Sequence, residues 1–133
     1  MKNVHIVLIE DNAADVQLVK LALEENGIPH TITLFSTGIG AVQVLSSPEN
    51  TLRPDAILFD LNTPGTDGFE AFLKLRQNPR LAQVPMAILT SSRARVDKHR
   101  AAIHGARFVE KPSQLQDFLN TVGRLVKDLV ATA

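Results

Sequence analysis

The chain has 133 residues, with 14 Lys plus Arg matched by 14 Asp plus Glu, and no Cys, Trp or Tyr. That length suits one domain with a sizeable core, read here as a single domain over 1–133. The charge balance leaves nothing for nucleic acid or a membrane surface to attract, and the missing thiols exclude disulfides, thiolate metal sites and a cysteine nucleophile.

Val4 to Ile9 is rich in β-branched residues and predicts a buried strand. The chain enters that strand without the apolar core of a secretory signal, and no run is long enough to span a membrane, so a cytoplasmic protein is expected. Ala13 to Asn26 predicts a helix with Val16, Val19, Ala22 and Leu23 on its apolar face. Asp11 or Asn12 is its cap and Gly27 its stop. Thr31 to Phe35 is a short, loosely alternating strand. Gly38 and Gly40 are expected to precede a helical pattern through Val42 and Leu45, which Ser46-Ser47-Pro48 ends.

Asp55 to Phe59 is the third strand, and Pro64, Gly65 and Gly68 mark a loop after it. Phe69, Phe72, Leu73 and Leu75 ride a helix that Asn78-Pro79 terminates. Val84 to Leu89 is a strand with Pro85 tolerated near its start. Arg93 to His104 is a helix of weak apolar character whose Val96, Ala101 and Ile103 are expected to cover the sheet edge, and Arg107 to Val109 is a fifth strand. Ser113 is the expected cap of a last helix with apolar residues at three and four residue spacing from Leu115 to Leu129. Five strand-helix pairs, with strands apolar on both faces, imply a mostly parallel sheet covered on both sides. The class is α/β.

Ligands in such sheets bind beyond the carboxyl ends of the strands, and the polar residues fall there. Glu10 and Asp11 follow the first strand, Asp60 the third, and Lys111 the fifth, while Thr90 closes the fourth. An oxygen-rich, thiol-free cluster suits magnesium, or manganese, and a phosphoryl group. Asp60 is the candidate nucleophile, since a carboxylate accepts a phosphoryl group as an acyl phosphate. Asp11, Asp60 and the carbonyl of Asn62 are candidate metal ligands, and Glu10 could hold a metal-bound water. Lys111 and Thr90 offer an ammonium and a hydroxyl to phosphoryl oxygens. Ser91 and Ser92 either join them or cap the next helix. The bland alternative is that these acids only cap helices and end strands. His99 and His104 are five apart, off the geometry of a helical metal pair, and His5 and His30 have no ligand-like company. Arg93, Arg95, Lys98 and Arg100 make the fourth helix basic, as either a docking face or a solvated one.

In that order on successive strands, Glu10-Asp11, Asp60, Thr90 and Lys111-Pro112 resemble the receiver domains of two-component response regulators, over roughly residues 4 to 130. The resemblance implies a flavodoxin-like, doubly wound five-stranded parallel sheet of order 2-1-3-4-5 with helices on both faces. It implies phosphorylation of Asp60 by a histidine kinase, magnesium at Glu10, Asp11, Asp60 and Asn62, and phosphoryl contacts from Thr90 and Lys111. Phe108, three residues before Lys111, falls at the family's aromatic switch position, without a tyrosine's hydroxyl. Ser113 replaces the aromatic or apolar residue common after Lys-Pro. The phrases Ile9-Glu10-Asp11-Asn12-Ala13-Ala14-Asp15 and Asp60-Leu61-Asn62-Thr63-Pro64 look like small stand-alone regulators paired with phytochrome-type and related hybrid kinases.

Two other classes are weighed against this. One is a receiver fold kept only as a non-phosphorylated interaction module, which would not need the full acidic set. The other is a phosphatase on the same fold, which needs a general acid two residues past its nucleophile; Asn62 has no proton to give. A phosphoacceptor that assists its own magnesium-dependent phosphorylation and dephosphorylation, without enzymatic turnover, is the expectation. The face of the fourth helix, fifth strand and fifth helix is the expected protein contact, including a homodimer.

Overall fold

The strands of the chain follow from which faces their side chains can bury. A computed structural model describes residues 2–63 and 68–131, so the turn expected at Pro64 and Gly65 lies outside them. The elements are β1 (Val4–Ile9), α1 (Ala13–Glu25), β2 (His30–Phe35), α2 (Gly38–Leu45), β3 (Ala56–Phe59), α3 (Gly68–Gln77), β4 (Met86–Thr90), α4 (Arg95–Ile103), β5 (Arg107–Glu110) and α5 (Leu115–Ala131). The five strands form one parallel sheet in the order β2-β1-β3-β4-β5. Among the described residues no helix is long and apolar enough to cross a membrane.

Alternate residues of the central strands go to opposite faces, so both sets must be apolar. Ile6, Leu8, Leu58, Ala87 and Leu89 pack with Val16, Val19 and Leu23 of α1 and with Phe118, Val122 and Val126 of α5. Val7, Ile9, Ile57, Phe59, Met86 and Ile88 pack on the other face with α2, α3 and Ala101 of α4. The edge strands β2 and β5 are only partly buried, which explains the loose alternation at β2.

Helix ends follow local chemistry. The Asn12 side chain caps α1, accepting from the Asp15 N–H at 3.0 Å. Gly27 adopts φ +66, which lets its N–H reach the Glu24 carbonyl and the Ile28 N–H reach that of Leu23. Gly105, at φ +64, ends α4 with the same pair of bonds, to Ala102 and, from Ala106, to Ala101.

Several boundaries, and the seating of one helix, differ from the sequence reading. Gly38 and Gly40 lie inside α2, because Thr37 caps it and accepts from the Gly40 N–H at 3.0 Å. Gly38 is required there by packing: a Cβ would stand 2.8 Å from Ala71 Cβ and 3.2 Å from the Phe59 ring. Val84 and Pro85 precede β4; Pro85 has no N–H for the ladder, though its carbonyl still accepts from Ile57. The last helix begins at Leu115, one residue later than a Ser113 cap would place it, with the Gln114 carbonyl accepting from Phe118. In α4 only Ala101 is buried, whereas Val96 and Ile103, also expected to cover the sheet, are 61% and 64% exposed.

Asn26 ties α1 to α5. Its amide donates to the carbonyls of Ala22 at 2.7 Å and Leu119 at 3.1 Å. Gly123 leaves room for it, since a Cβ there would lie 2.1 Å from the amide nitrogen.

Candidate functional site

All five strands run the same way, so the residues that follow them gather at one edge of the sheet. The ladder continues one residue past each of the strands that matter. The Glu10 N–H donates to the Phe35 carbonyl (2.9 Å), the Asp60 N–H to that of Ile9 (3.0 Å), and the Lys111 N–H to that of Thr90 (2.8 Å). These bonds fix the backbone of both acids and the lysine before any side chain interacts.

The Lys111 ammonium is the centre of the cluster. Its Nζ donates to Glu10 Oε1 at 2.5 Å, Asp15 Oδ2 at 2.8 Å and Asp60 Oδ2 at 2.9 Å. The side chains of Lys111, Glu10 and Asp60 are 8%, 3% and 6% exposed, so these charges depend on one another for solvation. The pairing of Lys111 with Asp60 matches the sequence reading. Asp15 was missed as a member of the site. The available signal was its spacing from the Asn12 cap: Asp15 is the third helical residue, whose side chain reaches back over the start of its helix.

Burial alone would raise the Asp60 carboxyl, but the Asn62 N–H on Oδ1 at 3.0 Å and the ammonium together hold it below its ordinary range. Asp60 is therefore an ionised carboxylate at neutral pH. Burial pushes Glu10 up to about 7; the Asp60 charge adds to this and Lys111 opposes it. Lys111 is raised above its ordinary value, because bonds to Asp15, Glu10 and Asp60 outweigh burial, which acts the other way.

One carboxylate oxygen from each of Glu10, Asp11 and Asp60 lies within 4.8 Å of the others. An all-oxygen donor set of this span fits a hard divalent cation. Asp11 is exposed and makes no side-chain hydrogen bond among the described residues, so its oxygens are open to an ion. Glu10 has Oε1 on Lys111 and Oε2 accepting from the Asn12 N–H at 3.2 Å, an arrangement better suited to holding a metal-bound water than to direct ligation.

Thr90 is fully buried. Its Oγ1 accepts from the Ser92 N–H at 3.2 Å and the Asn62 amide at 3.3 Å, leaving its own proton to donate. Ser92 acts as a cap: its hydroxyl accepts from the Ala94 N–H and donates to Asp97. Ser91 is exposed and, with Asp15 and Lys111, lines a cleft of about 350 Å³. Thr63, unremarked in the sequence reading, is buried and accepts from the Gly38 N–H at 3.2 Å, linking the segment after Asp60 to α2. Phe108 is half-buried against the second core cluster. Arg93 of the basic segment pairs with Glu110 at 2.6 Å. His5 meets Thr33 and His30 meets the Ile28 carbonyl, and no histidine joins the acidic group.

A family model of the response regulator receiver domain matches residues 6–123. The response regulator Rcp1 of Synechocystis sp. is 34% identical over 121 residues, 88% of this chain and 82% of that protein. The protein PilH of Pseudomonas aeruginosa is 26% identical over 91% of this chain and 96% of that one. Among solved structures, the phosphorylated cyanobacterial phytochrome response regulator RcpA superposes with a TM-score of 0.87 at 29% identity, covering 99% of this chain and 97% of that one. The Mn(2+)-bound form of Rcp1 superposes with a TM-score of 0.86 at 30% identity, covering 98% and 96%.

Proposed function

The chain belongs to the response regulator receiver family of two-component signalling, and from that premise we propose that Asp60 is its phosphoacceptor, charged by a histidine kinase. The observation that carries the assignment is the ionised, buried Asp60 carboxylate held 2.9 Å from the Lys111 ammonium at the sheet edge. In the transfer, an Asp60 oxygen forms a bond to phosphorus while the donor's phosphorus–nitrogen bond breaks. The leaving imidazole belongs to the donor, and the product is an acyl phosphate. Lys111 and the Thr90 hydroxyl, whose proton is free to donate, meet the phosphoryl oxygens. Magnesium, or manganese, held by Asp11, Asp60 and the Asn62 carbonyl with Glu10 behind a water, would neutralise charge on the transferred group.

The same residues assist slow hydrolysis of the acyl phosphate, without turnover of other phosphate esters, because Asn62 offers no proton to a leaving group. Residues 1–133 act as one cytoplasmic receiver domain. The partner kinase is of phytochrome or hybrid type, a reading supported by what RcpA is called. The face of α4, β5 and α5 makes protein contacts, including a homodimer; the exposed Val96 and Ile103, seven residues apart on one side of α4, support it. Intact-mass measurement after incubation with magnesium and acetyl phosphate tests the assignment. Wild type should gain one phosphoryl group, labile at alkaline pH, and Asp60→Asn none. Equal labelling of the variant would refute it.

A further inference from the structure

We infer that Asp15 is a positioning residue for Lys111, a releasable tether that opposes the phosphorylated state. The inference rests on the proposal that Asp60 is the phosphoacceptor. An ammonium has three N–H donors. All three are engaged at rest, one each on Glu10, Asp15 and Asp60. A phosphoryl group on Asp60 inherits only the bond that Asp60 already accepts. For Lys111 to give it a second bond, Glu10 or Asp15 must let go.

The two are not equivalent. Glu10 is 3% exposed and its second oxygen is held by the Asn12 N–H at 3.2 Å, so its carboxylate has no solvent to turn into. The Asp15 side chain is 25% exposed and lines the open cleft beside Ser91 and Lys111, where water can replace the ammonium. Its backbone is held independently by the Asn12 cap, so releasing the carboxylate leaves α1 intact. Asp15 is therefore the bond that yields. Until it does, it withholds the ammonium's third N–H from the phosphoryl oxygens.

Beryllofluoride serves as the phosphoryl mimic, titrated at saturating magnesium and followed by amide NMR. Asp15→Asn keeps the shape and removes the charge. It should bind the mimic about three- to tenfold more tightly than wild type, the scale of losing one competing charge-assisted bond. Asp15→Glu, which restores the charge, should return to within about twofold of wild type. In a Lys111→Met background the Asp15→Asn gain should vanish, which a merely structural role for Asp15 would not produce. Unchanged affinity in Asp15→Asn, or an equal gain with Met at 111, would overturn the inference while leaving Asp60 as the acceptor. Failure of wild type to bind the mimic, together with acetyl phosphate labelling away from Asp60, would overturn both.

Discussion

Replacing Glu10 by glutamine should stabilise the metal-free protein at alkaline pH, although it removes a charge-assisted bond to Lys111. Glu10 holds its proton to about pH 7 in the folded protein, against an ordinary 4.5. The native state thus binds a proton that the unfolded chain has released, and stability falls as pH rises between those values. At pH 8 the ionised Glu10 costs about 3 kcal/mol, and at pH 5 only about 1 kcal/mol. Glutamine resembles the protonated acid in shape and charge but keeps one acceptor oxygen where Glu10 has two, so these figures are the upper bound of its gain. Asp60 is lowered, so its contribution is present above its ordinary value and lost only in stronger acid. Lys111 is raised, so its contribution is complete below its ordinary value and lost only in stronger alkali. Urea unfolding of wild type and Glu10→Gln in EDTA, at pH 5 and pH 8 with equal m-values, measures the difference. Saturating magnesium should narrow the gap at pH 8 by the difference in affinity between the two proteins, about 1.4 kcal/mol for each tenfold by which Glu10→Gln weakens binding. A Glu10→Gln protein less stable than wild type at pH 8, or a gain of equal size at pH 5, would refute the reasoning.

Asp11→Ala should weaken magnesium affinity and slow labelling by acetyl phosphate together, by calorimetry and mass measurement, with Glu10→Gln weakening it less. Lys111→Met leaves three carboxylates facing one another; in EDTA at pH 8 it should lose about 3–5 kcal/mol in urea unfolding, with part regained on adding magnesium. In the same variant, beryllofluoride should fail to produce the amide shifts that wild type shows over α4, β5 and α5. Gly123→Ala should drive the Asn26 amide off both carbonyls and cost about 2–3 kcal/mol without changing labelling of Asp60.

The central strands were legible because both of their faces are buried, which leaves continuous apolar runs such as Ala56–Phe59 with a polar residue just beyond. That same pattern marked Glu10, Asp60 and Lys111, since chain order in a parallel sheet places strand ends together. Asp15 was not legible by that route. It reaches the site from a helix, and only the cap at Asn12 fixes its direction. Thr63 escaped because its bond to Gly38 joins segments 25 residues apart. The α4 reading failed on geometry: residues 96 and 103 share one side of a helix and 101 lies on the other, so the three could not all face the sheet. Gly38 and Gly40 read as lying ahead of the helix because spacing alone does not reveal a Thr37 cap or the closeness of Ala71.

The thin seating of α4 has a thermodynamic consequence. The helix contributes one buried alanine to the core, whereas α1 and α5 share a whole cluster and the Asn26 clamp. Detaching α4 exposes little apolar surface, so its opening free energy lies far below that of global unfolding. Amide exchange should run through α4 well before it reaches α1 or α5. The left-handed turn at Gly105 ends α4 before β5 begins, so fluctuations of the helix can die out there and leave the strand that positions Lys111 in place. The receiver thus places its least costly conformational freedom soon after Thr90, across the sheet from the clamped pair of helices.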